Sequence, residues 1–252
     1  MFWEDHAANL KKNLDESKKF VWIIIIFYFW TMKLTYTEEN YLKAIYYLSE
    51  GKSEGVSTNS IAERLQTKAS SVTDMLRKLS DKKLVNYEKY QGVALTREGK
   101  KIALSTIRKH RLWEVFLVEK LQFGWDEVHE VAEQLEHIQS TKLIDSLDEF
   151  LDYPEFDPHG DPIPDKNGKF AKREESFELN NAVEGDKLLI TGVNDTSSSF
   201  LVFLQQQGLT LGVGLRICEI FSFDRSMVIE LKDKRKITLS NLVTRNILVK
   251  HK

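Results

Sequence analysis

The chain has 252 residues, 42% of them hydrophobic and 29% charged, with a single cysteine, Cys218, and a formal net charge of −2. That length holds two or three small domains, each able to bury a core, and one cysteine excludes an internal disulfide and fits a reducing, cytoplasmic setting. The charge is polarised: residues 33–111 hold sixteen Lys and Arg against nine Asp and Glu, a net of +7, whereas residues 112–252 hold sixteen against twenty-five, a net of −9. A basic block suits a polyanion such as DNA and an acidic block suits cations, with solvated faces as the plain alternative.

In chain order, Phe20 to Trp30 is an apolar run of eleven residues behind Lys18 and Lys19. It is shorter than the roughly 20 residues that span a bilayer, and no small-residue cleavage site follows it. Everything from Met32 onward patterns as one soluble protein, so residues 1–31 are expected to be an upstream extension with Met32 as initiator; an apolar leader is the alternative. A membrane partner is not expected.

From Thr37, Tyr41, Leu42, Ile45 and Leu48 fall at helical spacing. Ser57 is placed to cap a short helix whose inner face is Ile61, Ala62 and Leu65, and Ser70 to cap a third helix with Val72, Met75, Leu76 and Leu79 inward. The opposite face of this third helix carries Ser70, Ser71, Thr73, Asp74, Arg77 and Lys78, with short polar groups first and cations later. A recognition helix needs that order, because its first turns approach base edges and its later cations meet phosphate. A three-helix core with a solvated face would show the same periodicity. The segment LVNYEKYQGVALT then reads as two strands around a turn, which makes the block a winged helix, with Lys82, Lys83, Lys89 and Arg97 flanking the wing.

Gly99 to about Gln122 reads as one long helix, and Asp126 is placed to cap a second. On the first, His110 and Glu114 share a face; on the second, His129, Glu133, Glu136 and His137 do. Two helices presenting imidazole and carboxylate toward each other is how helical bundles build metal sites. The absence of thiolate suits Mn(II) or Fe(II) better than structural zinc. Solvated glutamates and a core histidine remain the alternative for this set.

Asp157 to Lys169 holds three of the four prolines and reads as a linker, with His159 structural. The alternating apolar runs KLLITGV, LRICEI, SMVIEL and NILVK that follow suggest a small β-barrel. The expected architecture is mainly α with a small β part. Residues 32–97 form a winged helix-turn-helix domain, 98–153 a helical dimerisation and metal-binding domain, 154–175 a linker and 176–252 an SH3-like domain.

The segments TEENYLKAIYYL, IAERLQTKASSVTDMLRKLSDKKLVNYEKYQGVALTREGKKIA, RKHRLWE, VHEVAEQLEHI and PHGDPIP together resemble the iron- and manganese-dependent repressors of the diphtheria-toxin-repressor and manganese-transport-regulator type. QQGLTLGVGLRI resembles the FeoA domain that ends longer members. The resemblance implies a homodimeric, non-enzymatic repressor with divalent metal as corepressor and an inverted-repeat operator. It implies a primary metal site of Asn40, Glu133, Glu136 and His137 and a second of His110, Glu114 and His129, with Asn194 or Asp195 as a candidate donor from the last domain. Iron-type members have Cys where Glu133 stands and Met where Asn40 stands, so Glu133 leans toward Mn(II), with Fe(II) possible. Manganese-type members have Asp where Asn40 stands, and shorter manganese sensors have a Glu ligand where Lys43 stands. A regulator answering an organic ligand, or a metal hydrolase, would share some of these features; no phosphate loop or nucleophile motif supports an enzyme.

Overall fold

The computed structural model describes residues 34–51, 55–88, 92–171 and 175–252. The apolar run Phe20 to Trp30 and the proposed start at Met32 lie outside them, as does Lys89. No helix among the described residues is long and apolar enough to cross a membrane. The chain divides into two compact units, Met1–Lys100 and Lys101–Lys252.

The first unit is a winged helix. Helix α1 (Tyr36–Ser49) opens on a capping box: the Thr35 hydroxyl accepts from the Glu38 N–H while the Glu38 carboxylate accepts from the Thr35 N–H. The same carboxylate takes an ion pair from Lys82 at 2.7 Å, tying the start of α1 to the end of α3. Ser57 caps α2 (Thr58–Arg64) as its sequence position predicts, accepting from the Ser60 N–H. Helix α3 (Ala69–Asp81) starts two residues earlier than a Ser70 cap would place it. Its N-cap is Lys68, with no side-chain hydrogen bond, and Ser70 lies in the first turn instead of capping it. Val72, Leu76 and Leu79 are fully buried and Met75 half-buried, which confirms the inward face. Strands β1 (Val85–Glu88) and β2 (Gly92–Leu95) pair antiparallel with Val85 opposite Leu95, and Val56 bridges to Val93 as a third short rung.

Thr96 ends the wing by donating its hydroxyl to the carbonyls of Lys83 and Leu84, and it also accepts from the Gly99 N–H. This brings Gly99 so close to β1 that a Cβ there would lie 2.0 Å from the Leu84 carbonyl oxygen. Gly99→Ala is therefore expected to destabilise the winged helix by about 2–3 kcal/mol, because backbone, not a flexible side chain, must move. Urea unfolding would measure it; a wild-type midpoint would show that the contact carries no strain.

In the second unit α4 (Arg97–Leu121) is the spine. Its inner face contributes Leu112 and Val115 to a core with Ile144 and Leu147 of α6 (Thr141–Phe150), and Leu117 to another with Val128 and Ala132 of α5 (Val128–Leu135). Two α4 arginines hold the proline-rich segment: Arg108 donates to the Pro164 carbonyl at 2.9 Å and pairs with Asp148 of α6, while Arg111 donates to the Pro162 carbonyl. That segment is tightly built. Asp157 Oδ1 accepts from the His159 and Asp161 N–H groups, and Asp165 Oδ1 from those of Asn167 and Lys169.

The C-terminal part is a six-stranded antiparallel sheet in the order β3 (Phe177–Glu178), β8 (Ile247–His251), β4 (Lys187–Val193), β5 (Gly214–Ile220), β6 (Met227–Leu231), β7 (Lys236–Leu239). The alternating runs are strands as expected, but the sheet does not close into a barrel. Strand β3 is only two residues long and pairs with β8 alone, which leaves it and β7 as edges. Helix α7 (Ser198–Gln207), ended by Gly208 in the left-handed conformation, and the short α8 (Asn241–Thr244) complete this part. Its core, with Leu188, Ile190, Leu215 and Ile247, also takes in Trp125 from the turn before α5.

Candidate metal centre

Two consecutive helices position the predicted ligands. His110 and Glu114 lie one turn apart on α4, both buried, and His129 and Glu133 one turn apart on α5. Helix α5 is shorter than its periodicity suggests: Asp126 is not its cap, Glu127 holds that position without a side-chain bond, and the helix ends at Leu135. Glu136 is its C-cap, still in the right-handed helical region, so it stays on the α4-facing side, where it is 0% exposed.

Among the described residues three groups of potential ligands converge, each with its donor atoms within 4.8 Å of one another: His110, Glu114 and His129; His110, Glu133 and Glu136; and Glu114, Asp157 and His159. In the first, His110 Nε2 lies 3.0 Å from Glu114 Oε1 and 3.1 Å from His129 Nδ1, and His129 Nδ1 lies 3.3 Å from the same oxygen. Adjacent ligands about 2.1 Å from a first-row ion stand roughly 3.0–3.4 Å apart, so this triangle already has the spacing of a coordination face. Its three atoms all carry lone pairs, and a divalent cation satisfies them together where a single proton satisfies two.

The other nitrogen of the same ring assigns the second group. His110 Nδ1 is 2.7 Å from Glu136 Oε2, the bond by which a ligating histidine donates its second N–H to a carboxylate and fixes its own tautomer. His110 thus faces Glu114 and His129 with Nε2 and Glu136 with Nδ1. Beyond it, His137 Nε2 stands 3.6 Å from Glu136 Oε1, and His129 Nε2 3.7 Å from Glu133 Oε1. The donor set fits a hard to borderline divalent ion. On the winged-helix unit, the Asn40 side-chain oxygen is buried without a hydrogen-bond partner.

Electrostatics follow the same contacts. Burial pushes the Glu114 carboxyl up, but the charge of His110 and hydrogen bonds from His110, His129 and His159 outweigh it and hold the group well below the ordinary value. Burial, with the neighbouring Glu114 and Asp161, raises Asp157 to about 7 against the opposing Arg111 and His159. For His159 burial opposes charging, yet Glu114, Asp157 and the Trp125 carbonyl together raise it to about 9.

Asp157 and His159 join the potential ligands only in the folded chain. Their one signal in the sequence is two ligand-type residues two apart in Asp157-Pro158-His159, just after the two helices, in a stretch that reads as a linker with a structural His159. Asn194 and Asp195 fall outside the three groups: Asn194 donates to the Arg245 carbonyl and Asp195 accepts from the Ser197 N–H.

On the winged helix, Ser70, Ser71, Asp74, Arg77 and Lys78 are exposed along α3 and Thr73 is half-buried. The Thr73 hydroxyl donates to the Ala69 carbonyl, and Asp74 and Arg77 pair at 3.3 Å.

A winged helix carrying an exposed polar and basic helix, in one chain with a buried imidazole and carboxylate cluster on paired helices, defines a metal-binding member of the winged-helix DNA-binding class. Sequence profiles agree: residues 33–93 match the iron dependent repressor N-terminal DNA binding domain, 96–165 the iron dependent repressor metal binding and dimerisation domain, and 177–251 the FeoA domain. The chain is 35% identical over 134 residues to the iron-dependent repressor IdeR of Mycobacterium tuberculosis, covering 52% of this chain and 57% of that protein. It is 36% identical over 115 residues to the HTH-type transcriptional regulator MntR of Oceanobacillus iheyensis, covering 46% and 77%. Its fold matches the solved structure of a manganese-dependent transcriptional repressor complexed with manganese, with a TM-score of 0.74 and 33% identity over 85% of this chain and 100% of that one. The chain belongs to the iron-dependent repressor family, which includes the manganese regulators. The match spans little more than half the length of the IdeR proteins.

Proposed function

We propose that this protein is a cytoplasmic, homodimeric transcriptional repressor that uses a divalent metal as corepressor and binds an inverted-repeat operator to control manganese or iron homeostasis genes. The observation that carries the reading is the His110 ring, which joins two ligand groups by 3.0 Å and 2.7 Å contacts on its two nitrogens. The second metal site is His110, Glu114 and His129. The primary site is Glu133, Glu136 and His137, the part of that ligand set that lies within the second compact unit. Mn(II) is favoured, since carboxylate stands where a thiolate would select a softer ion, and Fe(II) is the alternative.

Bound metal supplies positive charge to a centre where Glu114, Glu133 and Glu136 otherwise repel one another. His110 holds Glu136 in register with the second group, and Glu114 aligns His110 and His129. Tighter metal binding by the DNA-competent conformation then shifts the population toward it. In a two-fold dimer the α3 helices read half-sites about 34 Å apart or a multiple of it.

The test is calorimetric titration with Mn(II), Fe(II) and Zn(II), paired with gel shifts on duplexes selected from a random pool in Mn(II). Metal that binds without altering duplex affinity would sink the corepressor role. On the DNA side, Lys78→Ala is expected to weaken binding to all duplexes and to lower the slope of log affinity against log salt by about 1. A full salt slope would remove Lys78 from the phosphate contacts.

A further inference from the structure

We propose that the outer face of the C-terminal sheet carries a row of cations that contacts the phosphate backbone of duplex DNA, a second DNA-facing surface outside the winged helix; it rests on the DNA-binding reading above. The net of −9 over residues 112–252 hides two opposite blocks. Residues 112–176 hold six Lys and Arg against seventeen Asp and Glu, a net of −11, whereas residues 177–252 hold ten against eight, a net of +2. The cations of the last block are not scattered: Lys232, Lys234, Arg235 and Lys236 fall within five consecutive residues where β6 turns into β7.

Strand register gathers these charges on one face. Leu188, Leu215, Ile217, Ile229 and Leu231 are buried in the core, so by alternation Lys187, Arg216 and Glu230 face outward. Lys187 lies opposite Arg216, Arg216 opposite Glu230 and Glu230 opposite Lys236, one cross-strand row over β4, β5, β6 and β7. At about 4.8 Å between strands the row is roughly 14 Å long. Lys232 flanks it, with its Cε 3.3 Å from where a Cβ of Gly214 would stand, so the bare glycine leaves the lysine stem room against the sheet. Lys187, Arg216, Lys232 and Lys236 are exposed, and among the described residues none of the four forms an ion pair. The nearby carboxylates are engaged by other cations: Glu230 pairs with Lys234 at 3.6 Å and Asp233 with Arg235 at 2.6 Å. Glu219, beyond the register shift of β5, is the other acid on this face. A pocket for a single phosphate needs donors that converge, whereas exposed cations in line on an open sheet fit a linear polyanion. Each DNA strand carries one charge per roughly 3.4 Å of axis, so the row spans about four phosphates. The winged helix of the same chain also raises the local concentration of duplex at this face.

The experiment uses the full chain with Mn(II) and the duplexes selected in Mn(II), each bare and extended by flanking sequence, and reads affinity against salt. The triple variant Lys187→Gln, Arg216→Gln, Lys236→Gln removes three exposed charges and no buried side chain. It is expected to lower the slope of log affinity against log salt by about 2–3 for each protomer in contact, so that the wild type loses about 40-fold more affinity than the variant between about 50 and 200 mM salt. Glu230→Gln, which removes the one carboxylate of the row, should steepen the slope instead. Mn(II) affinity by calorimetry should stay unchanged in both, since neither touches a potential ligand. A lowered slope on the extended duplexes alone assigns the face to flanking DNA, and on both kinds to the selected site itself. An unchanged slope on both overturns the proposal. So does a wild type that self-associates at low salt without DNA through these cations while the triple variant keeps its DNA slope, which would give the row to the acidic residues 112–176 of a second copy. If the wild type binds no duplex in Mn(II), the DNA-binding reading falls and this surface with it. If the wild type binds and the triple variant keeps the full slope, this surface alone falls.

Discussion

Glu136→Ala is expected to abolish metal-stimulated operator binding, lowering the Mn(II)-dependent gain in duplex affinity by roughly 100-fold or more, the upper end of what loss of a partner in a metal shell costs. Glu136 is fully buried between two histidines, with one oxygen 2.7 Å from His110 Nδ1 and the other 3.6 Å from His137 Nε2. Its removal deletes a carboxylate from the proposed primary group and takes away the partner of His110 Nδ1. Both groups should weaken together, which single-site variants at the periphery, such as His129→Ala, should not reproduce. Gel-shift titration across Mn(II) concentrations measures it, with thermal unfolding confirming a folded protein. Retention of the full Mn(II) response would remove Glu136 from the ligand set.

The second large effect lies in the other unit. Leu76→Ala should destabilise the winged helix by about 2–5 kcal/mol, since Leu76 is fully buried on the inner face of α3 and truncation leaves a cavity the surrounding helices refill only in part. Against a typical total of roughly 5–15 kcal/mol, that loss brings the recognition helix to the edge of unfolding. Operator binding should fall at every Mn(II) concentration. Mn(II) binding by His110, Glu114 and His129 should persist, because those ligands belong to the second compact unit. A variant that keeps DNA binding at 37 °C would show that α3 is held by more than its buried stripe. Leu76→Ala and Glu136→Ala thus separate the two functions: one removes the reader and leaves the centre, the other does the reverse.

How far each feature could be read in advance depended on the range of the interaction behind it. The inner faces of α1, α2 and α3 follow from 3.6-residue periodicity, and the Ser57 cap from a contact three residues away. Caps failed where neighbours competed. Lys68 and Glu127 hold the N-cap positions that Ser70 and Asp126 were expected to take, and neither makes a side-chain cap bond. The strands of the last domain were visible from alternation, but whether the sheet closes depends on which edges meet. Strand β3 is too short to offer a second partner.

Sequence pattern alone carries the types of the candidate ligands, their spacing along α4 and α5, and the polar and basic face of α3. All of these are set by helical geometry within a few residues. Which nitrogen of His110 faces which carboxylate depends instead on where α5 lies against α4, a matter of packing. Packing likewise brings Asp157 and His159 to Glu114, across more than forty residues of chain, by fastening the proline-rich loop between the α4 arginines and the end of β4. Contacts of that separation leave no periodic trace, since they are fixed by packing and not by the local path of the backbone.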